Sequence, residues 1–459
     1  MSVSLIFSLS LPVYGETPSR LLNQNISSSI AQNSTTEADK LFEEGVQEYR
    51  RGKYPQALKT YEQVLKIRRQ QGDKAGIAQT LNNIGEVYLS LIKDDKALEV
   101  LQEALAIRRE IKDRKGEGET LDNLASAYFG KKQYDKALKT LQQALVIRKE
   151  VKDRAGEGKT LSKIGNVYNF GFKKYSQALE YLQQALAINK EVGDKYQAGS
   201  TLLRIGLLYE ENKDYSRTFK WYEKALVTSR ESGNRAVERN TLMRIGLLYY
   251  EQEKYDKAIE FFQQGLLLIR EAQIQFVEAN TINLIGFSYF YKKQYEKANE
   301  FFQQVLPIAR ELKNKDLEAQ TLVQIATNYF VLNKTDRSIE LLKQALAIQQ
   351  ELKNKSSQLK IINLLLSQYA RKAMNLAQKG LYVQAKVEYN QVIELAQETL
   401  TLARELKDRK VEASALTELG QGYFFFKDYE KASELLEQAV SIARDIKDLG
   451  GETNALSKL

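Results

Sequence analysis

Chemistry in this chain has few side chains to draw on. Neither cysteine nor histidine occurs among its 459 residues. That removes the thiolate nucleophile, the disulfide, the cysteine-bound metal and the imidazole that works near neutral pH. Carboxylates, lysines, tyrosines and serines remain, and their spacing does not gather them. Pairs such as Glu43–Glu44 fall on solvated helix faces rather than in a cleft that could set them to acid–base work. Six residues separate Gly45 from Gly52, where a phosphate loop has four, and no Ser or Thr follows Lys53. No G-x-S-x-G occurs. The reading is a non-enzymatic chain with no catalytic residue, no cofactor and no metal site.

Two sets of residues recur at a spacing that suits binding. Counting a recurring small residue (Gly246, Gly286, Ala326) as position 8 of its helix, positions 2, 5, 9, 12 and 13 share one face. They hold Asn240, Met243, Leu247 and Tyr250, then Asn280, Asn283, Phe287, Phe290 and Tyr291, then Gln320, Val323, Thr327 and Phe330. Asn and Gln offer a donor and an acceptor each to a peptide backbone. Met and aromatic side chains supply adaptable apolar area. The same residues could pack between neighbouring helices as ordinary core. Position 6 carries Lys163, Arg204 and Arg244 in consecutive blocks. That row could clamp the carboxylates of an acidic segment, or form a solvated flank balanced by Glu210, Glu211 and Glu251.

The elements that must position these residues come from one repeated pattern. TLNNIGEVY at 80–88 returns at 120, 160, 201, 241, 281 and 321, and as ALTELGQGY at 415–423. Each copy precedes a second block such as QYDKALKTLQQALVI at 133–147. Apolar residues at i, i+3 or i+4 and i+7 make both blocks amphipathic helices. Asp73, Asp113, Asp153, Asp194, Asn234, Asn314, Asn354, Asp408 and Asp448 stand where a first helix needs an N-cap. Cations close the second helices, as in Arg108–Arg109 and Arg148–Lys149, and suit the negative end of the helix dipole.

The pattern resembles the tetratricopeptide repeat: Gly45, Tyr54, Ala57 and Tyr61 in one copy, Gly246, Tyr249, Tyr255, Ala258 and Phe262 in another, and Gly420, Tyr423, Tyr429, Ala432 and Leu436 in a third. Ten copies cover the chain from Ala38. Ala125, Ala326 and Ala373 replace the Gly, and Thr218 and Ser338 the Ala, all small. The resemblance implies an all-α, right-handed superhelical solenoid of about ten helix-turn-helix repeats, with the first helices lining a concave groove. The period of 40 rather than the usual 34 residues is similar to the arrays of kinesin light chains, of Pins-class adaptors and of bacterial proteins with a following CHAT protease domain. In those families the array binds a protein or peptide segment. The function implied is a protein–protein interaction scaffold. The alternative is a recognition module of a larger protease or signalling protein whose effector part is separate.

Charge and the chain ends complete the reading. Lys and Arg number 68 against 59 Asp and Glu, a net +9, but the signs alternate along helix faces. That disfavours nucleic acid, which needs a continuous cationic stripe. Residues 1–15 begin with an uncharged run, MSVSLIFSLSLPVY, and place Val13 and Gly15 before Glu16 like the end of a signal peptide. The run is too short for stable membrane insertion. Export is therefore expected if this leader is real, and a cytoplasmic location otherwise. Residues 16–37 read as a flexible linker and 38–448 as the array. In the ninth repeat each helix gains a heptad, and 449–459 begin an incomplete eleventh repeat or cap. Both features are candidate surfaces for self-association.

Overall fold

The computed structural model describes residues 37–459. The expected leader, and the linker up to residue 36, lie outside the described residues. Glu37, assigned to that linker, opens the first helix. The described residues form helices and short turns, and no strand occurs among them. They divide into two compact units, one running to Leu248 and taking in Gln264–Ile274, the other holding Tyr249–Gln263 and Gln275–Leu459.

In the first unit the helices are α1 (Glu37–Arg50), α2 (Tyr54–Gln71), α3 (Lys74–Ser90), α4 (Asp94–Glu110), α5 (Arg114–Gly130), α6 (Tyr134–Glu150), α7 (Arg154–Asn166), α8 (Tyr175–Glu191), α9 (Lys195–Glu211) and α10 (Tyr215–Ser232). α11 (Arg235–Glu251) and α12 (Tyr255–Glu271) are shared between the units. The second unit continues with α13 (Gln275–Tyr291), α14 (Tyr295–Glu311), α15 (Lys315–Val331), α16 (Thr335–Glu351), α17 (Lys355–Gln378), α18 (Tyr382–Leu406), α19 (Arg409–Phe425), α20 (Tyr429–Asp445) and α21 (Leu449–Leu456).

Helix starts and stops follow from local chemistry. Each of the nine cap residues named above accepts a backbone N–H three residues on. Oδ1 of Asp113 takes that of Gly116 at 2.9 Å, and Oδ1 of Asn314 that of Leu317 at 3.1 Å. This satisfies one of the donors that a helix start leaves orphaned. Every turn between described helices then holds one residue in the left-handed region, about every 20 residues: Gly at 52, 72, 193, 233 and 380, and otherwise mostly Lys, as at Lys132 with φ 58°. The true structural period is one helix plus one turn, half the sequence period.

Pairing within a repeat rests on a close approach. A Cβ on Gly286 of α13 would lie 2.6 Å from Cε1 of Phe302 on α14, so only hydrogen fits. Phe302 is fully buried, and a ring so placed contributes about 1.5–3 kcal/mol. Where Ser338 replaces the usual Ala, its Oγ donates to the Ala326 carbonyl at 2.6 Å. The hydroxyl is thereby accommodated in the core.

Two departures from the period have distinct solutions. The step from 160 to 201 is 41, and α7 absorbs the extra residue by widening into a π-turn at Val167–Gly171. There the amide of Phe172 donates to the carbonyl of Val167 at 3.2 Å. In the ninth repeat, α17 has 24 residues and α18 has 25, against 17 in α15, α16, α19 and α20.

Candidate functional site

In the first unit, the face of the first helices that could meet a partner is closed by its own hydrogen bonds. Nδ2 of Asn123 on α5 donates to Oδ1 of Asn82 on α3 at 3.2 Å and to Oε1 of Glu86 at 2.9 Å. One repeat further, Nζ of Lys163 on α7 donates to the Asp122 carbonyl and to Oγ of Ser126, both at 3.1 Å. Position 6 of α5 and of α7 thus bonds to positions 5 and 9 of the first helix before it.

This corrects both readings for two of the three cations in the row. Lys163 and Arg204 are buried, at 8% and 7% exposure. Arg244 is bound to Oε1 of Glu210 at 3.1 Å, and Glu210 also accepts the hydroxyl of Tyr222. Lys163 and Arg244 link consecutive first helices. Buried Lys163 and Arg204 are neither an open clamp nor a solvated flank, whereas Arg244 is balanced by Glu210, as the second reading had it.

A second network runs beneath this face, and sequence reasoning missed it. Arg68, Arg108 and Arg148, forty residues apart, are buried at the ends of α2, α4 and α6. Nη1 of Arg68 donates to the Gly76 carbonyl and to Oγ1 of Thr80, both at 3.0 Å. Nη2 of Arg148 donates to Oδ2 of the equally buried Asp122 at 3.1 Å. Oγ1 of Thr160 donates to Oδ1 of the same carboxylate at 2.8 Å. The available signal was an Arg at 68, 108 and 148 paired each time with a Gly eight residues later.

The remaining first-unit members of the predicted stripe lie on α11. Asn240 and Leu247 are part-exposed, and Nε of Arg239 donates to Oδ1 of Asn240 at 3.4 Å. Met243 is buried at 4% exposure and packs toward Gly265. It is core rather than binding surface.

In the second unit the predicted residues separate into two groups. Tyr250 is buried at 5% exposure, its ring 5.6 Å from that of Tyr255 and 6.0 Å from that of Tyr291. Burial pushes its phenol well above the ordinary range. Tyr250 is also a correction, a core residue between helices. Phe290 packs edge-on to Tyr295 at 5.5 Å, and the guanidinium of Arg371 lies 4.9 Å from the Phe330 ring centre. Oγ1 of Thr327 is spent on the Val323 carbonyl, and Nε2 of Gln320 on Asp316. Asn280, Asn283 and Phe287 of α13 and Val323 of α15 remain part-exposed on one face.

That face differs from its first-unit counterpart in one respect. Asn283 and Gln324 hold positions 5 and 6, the pair that links α3 to α5 and α5 to α7, yet Oδ1 of Asn283 and Oε1 of Gln324 have no hydrogen-bond partner. Phe287 holds position 9, where α3 and α5 have Glu86 and Ser126. Glu418 on α19, not singled out from sequence, holds position 6 of the tenth repeat. Burial raises its carboxyl above the ordinary range, and Lys458 offsets this only in part. Among the described residues no group of three or more acidic side chains could hold a metal, and no helix is long and apolar enough to cross a membrane.

Comparison with known proteins now decides the family. The model of the tetratricopeptide repeat matches residues 37–110, 117–191, 197–269 and 277–351, and a second such model matches 413–446. The chain is a tetratricopeptide-repeat protein. Among solved structures, this tetratricopeptide-repeat chain is similar to a signal-transduction ATPase with numerous domains that carries a tetratricopeptide-repeat sensor, from Pyrococcus horikoshii. Identity is 19%, TM-score 0.51, with 67% of this chain and 47% of that one covered. The chain therefore spans about half the length of that relative. It is also similar to the apo quorum sensor NprR of B. thuringiensis, at 16% identity and TM-score 0.43, covering 78% and 98%. A Podospora anserina kinesin light chain with nearly identical repeats is 17% identical, at TM-score 0.35, covering 46% and 96%. At these identities the likeness shows the fold alone. No curated protein matches the chain.

Proposed function

We propose that this tetratricopeptide-repeat protein is a non-enzymatic scaffold that binds an extended or helical protein segment on the first-helix face of its second unit. The observation that carries this reading is the pair of unpartnered amide oxygens, Asn283 Oδ1 and Gln324 Oε1, beside the part-exposed Phe287 and Val323. Buried carbonyl acceptors without a donor are costly, and rotation of either amide onto the part-exposed face offers its oxygen to a peptide N–H. Phe287 and Val323 supply apolar contact on the same face.

The relative from Pyrococcus horikoshii carries its repeats as a sensor within a multidomain ATPase. That favours, as a second reading, a recognition module acting on an effector elsewhere. Both readings require the same face, and its test is a direct binding measurement on the Asn283→Ala/Phe287→Ala variant.

A further inference from the structure

The ninth repeat carries a feature that peptide binding does not use. Arg371 on α17 donates to Oδ1 of Asn333, in the turn between α15 and α16, at 3.3 Å. Lys386 on α18 lies 6.0 Å from the ring centre of Phe426, in the turn between α19 and α20. Residues 371 and 386 are therefore level with the turns of the two flanking repeats. The chain between them extends further, about two turns of α17 up and about one turn of α18 down, or roughly 6–10 Å. α17 and α18 thus form a hairpin whose tip stands clear of both neighbours.

The composition of that tip is one-sided. Met374, Leu381, Tyr382, Val383 and Val387 are all exposed, Val383 at 81% and Tyr382 at 63%. No acidic residue occurs between Arg371 and Val387. Lys372 is neutralised by Asp336 and Glu388, at 2.7 and 2.8 Å, while Arg371, Lys379 and Lys386 face solvent and form no ion pair among the described residues. An exposed Leu-Tyr-Val apex would be a solubility liability unless something covers it. The apex is the projecting turn of a two-helix hairpin. Its flanking cations call for an anionic counterpart. Those two properties together fit a bilayer interface, into which aromatic and aliphatic side chains dip while Lys and Arg stay at the headgroups.

We propose that the α17–α18 tip docks this protein peripherally on anionic lipid surfaces, with Leu381, Tyr382 and Val383 entering the interface and Arg371, Lys379 and Lys386 binding headgroups. The test is co-sedimentation of the full chain with phosphatidylcholine vesicles, with and without phosphatidylserine. Binding is expected to be at least about tenfold stronger with phosphatidylserine and to fall as salt is raised. Leu381→Asp/Val383→Asp and Lys379→Glu/Lys386→Glu should each abolish it. All four residues are exposed, so far-UV circular dichroism and Tm should stay at wild-type values. Absence of binding, equal binding to both vesicle types, or binding that survives both variants overturns the proposal. So does a dimer lost in Leu381→Asp/Val383→Asp without any vesicle binding, which would make the tip a protein interface.

Discussion

Nη1 of Arg68 donates to the carbonyl oxygen of Gly76 at 3.0 Å, and a Cβ on Gly76 would lie 2.7 Å from Cδ of the same arginine. Arg68 and the capping Asp73 together leave room only for hydrogen at Gly76. Arg108 repeats both contacts with Gly116, while Arg148 repeats the close approach to Gly156 and donates instead to Asp122 and Asp153. Where the arginine gives way to Asn189 and Ser229, the glycine gives way to Gln197 and Val237. Asn189 then donates to Oγ1 of Thr201 at 3.1 Å. This joint is what fastens one repeat to the next in the first unit.

Gly116→Ala should therefore destabilise the chain. In an ordinary helix interior the change stabilises by about 0.5–1 kcal/mol. Here the new Cβ would lie 2.5 Å from Nη1 of Arg108, and overpacking of this kind costs about 1–3 kcal/mol. Arg108→Asn/Gly116→Gln imports the solution of the fifth repeat and should recover most of the loss. Urea denaturation of the three variants checks both signs. A stabilised Gly116→Ala would show that the joint is loose.

Lys132→Gly should stabilise. Lys132 is exposed in the turn between α5 and α6 with φ 58°, a conformation that costs an L-residue about 1–2 kcal/mol and glycine little. Part of the gain returns as unfolded-chain entropy, leaving about 0.5–1 kcal/mol. A rise in Tm of that order is the expected outcome, and the neighbouring Lys112 and Lys152 offer independent repeats of the test.

Glu418 makes stability depend on pH. Its folded pKa is raised by burial, with partial relief from Lys458. The folded state then holds a proton that the unfolded state has released, so stability falls as pH rises from the unfolded value, about 4.3, through the folded one. Glu418→Gln should raise Tm near neutral pH, and the difference should vanish below that unfolded value. Thermal melts across this range decide the matter. A variant less stable at neutral pH would show that the carboxylate is paired.

What the sequence could disclose was local or periodic. Asp113 and Asn314 are legible as caps because their partners lie three residues away. The helix pairing is legible because Gly286 and Phe302 recur at fixed steps. Depth across repeats is not legible in the same way. A helical wheel puts Met243 and Tyr250 on the partner-facing side, yet Gly265 and Tyr291, many residues away, bury them. Lys163 reads as an open cation until Asp122 and Ser126, about forty residues earlier, are seen to accept from it. Arg108 reads as a dipole partner for its own helix, and its main acceptor belongs to the next one. In each case the deciding contact is non-local, and position within one repeat does not carry it.

The central claim is that the face of α13 and α15 binds a protein segment. The most direct measurement selects peptides from a random library against the full chain. The affinity of a selected peptide is then determined by calorimetry for wild type and for Asn283→Ala/Phe287→Ala. Loss of a central aromatic with its hydrogen-bonding neighbour costs about 2 kcal/mol or more at an interface hot spot, roughly a thirtyfold weakening. The account predicts that loss with far-UV helicity unchanged. A double variant that keeps full affinity for every selected peptide would contradict it.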